Sequence, residues 1–163
     1  MDYESAGCLF HDETSFLAGF QRKQQRWTSF GGKKYHHEKA FETAMRETIE
    51  ELFEIQITQK TLANLICTIP LSIPTQDGSY VYYKYPYDVI FEIINVLEQD
   101  GYTSPLYQRW PRTLFELVQK RAFCNVCEIQ KINIFYVSDI HDCKLAFDKF
   151  FLLDLTKLFI SHL

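Results

Sequence analysis

Glu47, Glu50, Glu51 and Glu54 recur at i, i+3, i+4 and i+7, with Arg46 beside the first of them and Glu38 eight positions ahead of that arginine. A helix would bring the four carboxylates onto one stripe, where like charges repel by roughly 0.2–0.5 kcal/mol per pair. Within the run only Arg46 relieves that repulsion, whereas a divalent cation would turn it into coordination. Hard carboxylate oxygens suit Mg²⁺ or Mn²⁺ rather than zinc. Just upstream, Gly31-Gly32-Lys33-Lys34 joins a glycine turn to two cations, so phosphate charge and metal could meet in one place. A solvated acidic face is the plain alternative for any lone E-x-x-E-E. Six specified residues (Gly32, Glu38, Arg46, Glu47, Glu50, Glu51) at roughly one in fifteen each give a chance rate on the order of 10⁻⁷ per start position. That weighs against accident.

The element that must carry these groups is well marked. No Gly or Pro interrupts 38–54, and good helix formers predominate, so a helix is expected there. Phe41, Met45, Ile49, Leu52 and Phe53 draw its buried stripe. Before it, Glu4–Phe10 and Ser15–Phe20 read as two strands around the polar turn 11–14, a hairpin leading toward the glycines. After it, Leu62–Ile69, Tyr80–Tyr83 and Tyr87–Ile94 read as strands, with a turn at 75–78 and a break at Pro86. Thr113–Arg121 has helical spacing, Ile132–Val137 reads as a strand, and Leu145–His162 as a strongly apolar terminal helix.

The pattern G-x5-E-x7-R-E-x-x-E-E over Gly32–Glu51 resembles the Nudix box, the signature of the Nudix hydrolases, and Trp27–Lys33 is similar to that family's aromatic-to-Gly-Gly-Lys run-up. Three positions depart from it. Phe53 stands where the family has a glycine, Glu54 where it has an aliphatic residue, and Thr48 replaces an aliphatic, with Ile55 available to supply the displaced contact. The resemblance implies an α/β class, a Nudix-type α/β/α sandwich with a mixed β-sheet, formed by residues 1–163 as a single domain. Relative to compact members, about 98–126 is an inserted segment with its own helix, expected to cover or shape the substrate pocket.

It also implies a Mg²⁺- or Mn²⁺-dependent pyrophosphohydrolase cleaving a nucleoside diphosphate linked to another moiety. Glu47, Glu50 and Glu51 would be metal ligands, joined by the Gly31 carbonyl and by Glu128 ahead of the late strand. Either Glu50 or Glu51 would act as general base, Glu38 would support them, and Arg46 would hold the glutamates by ion pairs. Lys33, Lys34, Arg22 and Arg26 are candidates for phosphate contact, though each is equally explained as a solvated charge. Tyr82, in the run Tyr80–Tyr87, is a candidate for stacking on a base, with core packing as the stronger alternative.

Composition bounds the rest. A chain of 163 residues with 47% apolar and 16% aromatic content can bury a sizeable core, and a net charge of -4 gives no global attraction to nucleic acid. The acidic start Met1-Asp2-Tyr3-Glu4 lacks a signal-peptide pattern and no run is long enough to span a membrane, so a cytoplasmic, intracellular protein without membrane partners is expected. Five cysteines, an odd count, argue for reduced thiols. The spacing C-x2-C-x13-H-x-C from Cys124 to Cys143 is a poor zinc pattern.

Within the family, nucleotide sugars, dinucleoside polyphosphates, diphosphoinositol polyphosphates and an mRNA cap all stay open as substrates. The Phe/Tyr/Ile-rich composition resembles members from large DNA viruses, some of which remove caps. Many members dimerise, so the resemblance allows a homodimer. A catalytically silent Nudix-like binding module is the alternative from another class, but such modules usually lose the glutamates this chain keeps.

Overall fold

Strict alternation along the strands distributes side chains to two cores. The computed structural model describes residues 2–159. Strand β1 (Ser5–Phe10) sends Ala6, Cys8 and Phe10 into the larger core and Leu9 into the smaller one, as a two-residue period requires. Strand β2 (Ser15–Gln21) does the same with Leu17 on one side and Phe16 and Ala18 on the other. The remaining strands are β3 (Arg26–Thr28), β4 (Phe30–Lys33), β5 (Thr75–Asp77), β6 (Tyr80–Tyr85) and β7 (Ile129–Tyr136).

They form a mixed sheet of order β4-β1-β6-β5 and an antiparallel sheet of order β3-β2-β7. The expected β1–β2 hairpin is present only at its turn. Asp12 Oδ1 accepts from the Thr14 and Ser15 amides, and one bridge, His11 to Phe16, follows before the strands part into different sheets. β1 instead pairs in parallel with β6 and antiparallel with β4.

Helices cover both faces. α1 (Ala40–Phe53), α2 (Gln59–Thr68) and α3 (Asp88–Gln99) pack over the larger core, and α6 (Lys149–Phe159) supplies the smaller one with Phe151, Leu155 and Phe159. Short helices α4 (Leu114–Gln119) and α5 (Ile140–Cys143) complete the set. The α/β class with a mixed sheet is therefore as expected, with the antiparallel sheet beside it. No helix among the described residues is long and apolar enough to cross a membrane.

Two expected strands are helices. Leu62–Thr68 lies in α2, where Thr61, Leu62 and Leu65 are buried at helical spacing, Ile69 is the buried C-cap, and Thr58 caps the start by accepting from the Thr61 amide. Tyr87–Ile94 lies mostly in α3, whose buried Val89, Ile90, Ile93, Ile94 and Leu97 follow a 3.6-residue period. In both segments β-branched composition is overridden by that period. The terminal helix is shorter than 145–162, because 144–146 is a separate 3₁₀ turn; 160–162 lie outside the described residues.

Candidate active site

Arg46 organises the site. It is buried on α1, and its Nε donates to Glu38 Oε1 at 2.6 Å while Nη2 donates to Glu38 Oε2 and to the Lys33 carbonyl. Nη1 donates to Glu47 Oε1 at 2.6 Å and to Glu50 Oε2 at 3.3 Å. The Tyr35 ring stacks on the guanidinium, 3.7 Å away. One side chain thus ties the glycine strand, the loop at Glu38 and two helix carboxylates together, using the planar fork that only arginine offers.

Glu38 is committed to protein donors on both oxygens. Besides Arg46 it accepts from the Tyr35 amide and the Thr43 hydroxyl. Burial alone would raise its pKa, but these donors outweigh it and hold the carboxyl below its usual range. Glu51 takes the opposite state. It is buried, its Oε2 accepts from the Gly31 amide at 2.8 Å, and burial together with the Glu128, Glu47 and Glu50 carboxylates pushes its pKa well up. Burial likewise raises Glu47 and Glu50 despite Arg46. Glu47 lies where a side chain on residue 32 would be, so Gly32 is needed for its close approach to the strand.

Glu47, Glu50, Glu51, Glu54 and Glu128 all line one cavity of about 830 Å³. Its far wall comes largely from the segment expected to cover the pocket, through Pro105, Leu106 and 122–125, with Cys127 just beyond it. Glu51 and Glu128 also line a second cavity of about 550 Å³, bounded by Gly31, Tyr80 and the start of α6. The two carboxylates form the wall between the cavities. A set of carboxylates in which burial and neighbouring negative charge raise Glu47, Glu50 and Glu51 is chemically suited to a hard divalent cation, which would relieve that repulsion.

The same segment finishes α1. Ser104 donates its hydroxyl to the Phe53 carbonyl at 2.6 Å, and buried Arg121 donates to the Leu52, Glu51 and Ile129 carbonyls. The helix C-terminus and β7 are thereby fixed together, and the positive charge sits where the helix dipole favours it. Arg121 was not legible as a site residue, since a basic residue after a short helix carries no spacing signal.

The proposed phosphate ligands are less concentrated. Lys33, Lys34, Arg22 and Arg26 are all exposed, and Lys34 sits over Tyr3, 4.8 Å from its centroid. Arg22 meets the site through its backbone, its amide donating to the Glu128 carbonyl. Tyr82 is 3% exposed, packed in the smaller core and stacked on Tyr80, so it presents no open face to a base.

Cys124 and Cys127 form a disulfide, with Cα atoms 5.3 Å apart, which corrects the expectation of five reduced thiols. Together with Glu54 they are the group among the described residues whose donor atoms all lie within 4.8 Å of one another. Pairing the two sulfurs removes them as thiolate ligands.

No protein-family model matches the chain, and no curated protein matches it by sequence. Solved structures match it by fold. It is similar to a bifunctional NMN adenylyltransferase/ADP ribose pyrophosphatase from Francisella tularensis, crystallised with AMP and a Mn ion, at 14% identity and a TM-score of 0.52, over 99% of this chain and 42% of that one. An Ap4A hydrolase binary complex from C. elegans matches at 14% identity and TM-score 0.46 over 99% of both chains. A NUDIX-family hydrolase from Clostridium perfringens matches at 11% and 0.46, over 96% and 95%. The chain thus spans about two fifths of the length of the Francisella protein, and its α/β fold is that of the matching part.

Proposed function

We propose that the chain is a Nudix-type pyrophosphohydrolase, dependent on Mg²⁺ or Mn²⁺, that cleaves a nucleoside diphosphate linked to another moiety. The observation that carries this reading is the wall of Glu51 and Glu128 between two cavities, with Glu47 and Glu50 held beside it by Arg46. A bound cation supplies Lewis acidity and lowers the pKa of an attacking water. Glu47, Glu50, Glu51 and Glu128 would hold it, with the Gly31 carbonyl as a further ligand. Arg46 keeps Glu47 and Glu50 oriented, and the Gly31 amide does the same for Glu51. The Glu50 side chain, 26% exposed against 13% for Glu47, is the more accessible proton acceptor.

Phosphate release from a panel of diphosphate-linked nucleotides, an inositol pyrophosphate and capped RNA, each with Mg²⁺ or Mn²⁺, tests this directly. Turnover of at least one class, reduced about 100-fold or more in Glu50→Gln or Glu51→Gln, is the expected result. No turnover of any class by the folded protein would leave a silent binding module as the better reading.

A further inference from the structure

The second cavity contains a carboxylate with one oxygen that no donor among the described residues satisfies. Three aspartates line it. Asp148 caps α6, its Oδ1 accepting from the Phe150 and Phe151 amides. Asp77 pairs with Lys157 at 3.0 Å. Asp154, on α6, is 5% exposed and has the Asp77 carboxyl and the Tyr82 hydroxyl as side-chain neighbours, yet among the described residues no donor comes within hydrogen-bond distance of its buried Oδ1. A buried unpartnered carboxylate oxygen costs free energy unless a ligand supplies the missing donor. Phe150, 63% exposed, lines the same cavity, with the Lys149 ammonium 5.0 Å from its ring centroid. An aromatic face and a deep acceptor, in a space that ends at Glu51 and Gly31, are the complement of a base whose nucleotide phosphates reach the carboxylate wall.

Resting on the pyrophosphohydrolase reading for the location of the phosphates, we infer that Asp154 and Phe150 form a base-recognition subsite selecting guanine nucleotides. A carboxylate only accepts. Guanine alone offers two adjacent donors, N1–H and the N2 amino group, which match the two oxygens of one carboxylate. Adenine and cytosine place a ring-nitrogen lone pair beside their amino group, and uracil flanks its N–H with two carbonyls, so each sets a lone pair against the charge. Burial and the neighbouring Asp77 push the Asp154 carboxyl up to about 6, which leaves it ionised at pH 7.5. Stacking on Phe150 adds affinity without choosing among bases.

Calorimetric titration of GMP, AMP, CMP and UMP at pH 7.5 in EDTA separates this subsite from metal-dependent chemistry. Wild-type protein should bind GMP about tenfold or more tightly than the other three. Asp154→Asn should lose about tenfold in GMP affinity and most of the preference, and Phe150→Ala should weaken all four alike. Thermal melting confirms that both variants fold. Equal binding of the four bases, no binding to wild type, or an unchanged preference in Asp154→Asn overturns the inference. The hydrolysis panel reports on the other reading. Asp154-dependent GMP binding without any turnover sinks the hydrolase and keeps the subsite. Turnover insensitive to base and to Asp154 does the reverse.

Discussion

Arg46 spans three carboxylates and a main-chain carbonyl from a buried position, so its removal leaves Glu38 and Glu47 with uncompensated charge. Breaking such a network costs about 3–5 kcal/mol. Urea unfolding of Arg46→Ala should show a loss in that range, and Arg46→Lys should recover only part of it, because an ammonium cannot copy the fork. Asp154 works the other way. Its pKa is raised from 3.8 to about 6 on folding, so between those values the native state binds the extra proton and stability falls as pH rises. Asp154→Asn should therefore match wild type near pH 4 and exceed it above about pH 6. After discounting for solvent screening, the gain is about 1–2 kcal/mol, read as a pH-dependent difference in Tm. The box charges were legible because their spacing is set by one helix. Asp154 was not, although a lone acid in Phe-Phe-Leu-Leu-Asp-Leu is the kind of local conflict that marks a used residue.

At the scale of elements, the departures from the box explain one another. Glu54 occupies the left-handed region (φ 53°, ψ 46°) at the end of α1, one place after the family's glycine. Phe53 is instead buried against Tyr107 and Trp110 of the 98–126 segment, and Ile55 enters the core as anticipated. Placing the glycine of the Nudix box at this position, Phe53→Gly, should cost more than about 3 kcal/mol by core truncation. Glu54→Gly should instead gain about 1 kcal/mol, because glycine carries no penalty there. Chemical denaturation of both distinguishes a shifted helix end from an unshifted one. Thr48 is fully buried and its hydroxyl has no hydrogen-bond partner among the described residues, so Thr48→Val should stabilise by about 1 kcal/mol. The α1 helix and the flanking strands could be read from period and glycine content. α2 and α3 could not, since runs such as Val-Ile-Phe-Glu-Ile-Ile satisfy strand propensity and helix period together until the sheet that would receive them is known.

Over the whole molecule, the chain passes between the two sheets at the Asp12 turn and again at Ser29, with α1–α3 packed on the larger core and α6 on the smaller. The disulfide within 124–127 ties down the loop that faces the glutamates. Thiol titration of unreduced protein in denaturant should find the three free cysteines Cys8, Cys67 and Cys143, rising to all five after reduction. Exposed Cys67 should react before unfolding and buried Cys8, its thiol pushed up to about 12 by burial, only after it. Five equivalents before reduction would show the bridge to be absent. The placement of Glu51 and Glu128 between two chambers has a kinetic corollary. A molecule cut at that partition would yield fragments that occupy separate rooms, each free to diffuse out without waiting for the other. Inhibition by one fragment should then leave room for the second, so the two would act as simultaneous rather than mutually exclusive inhibitors.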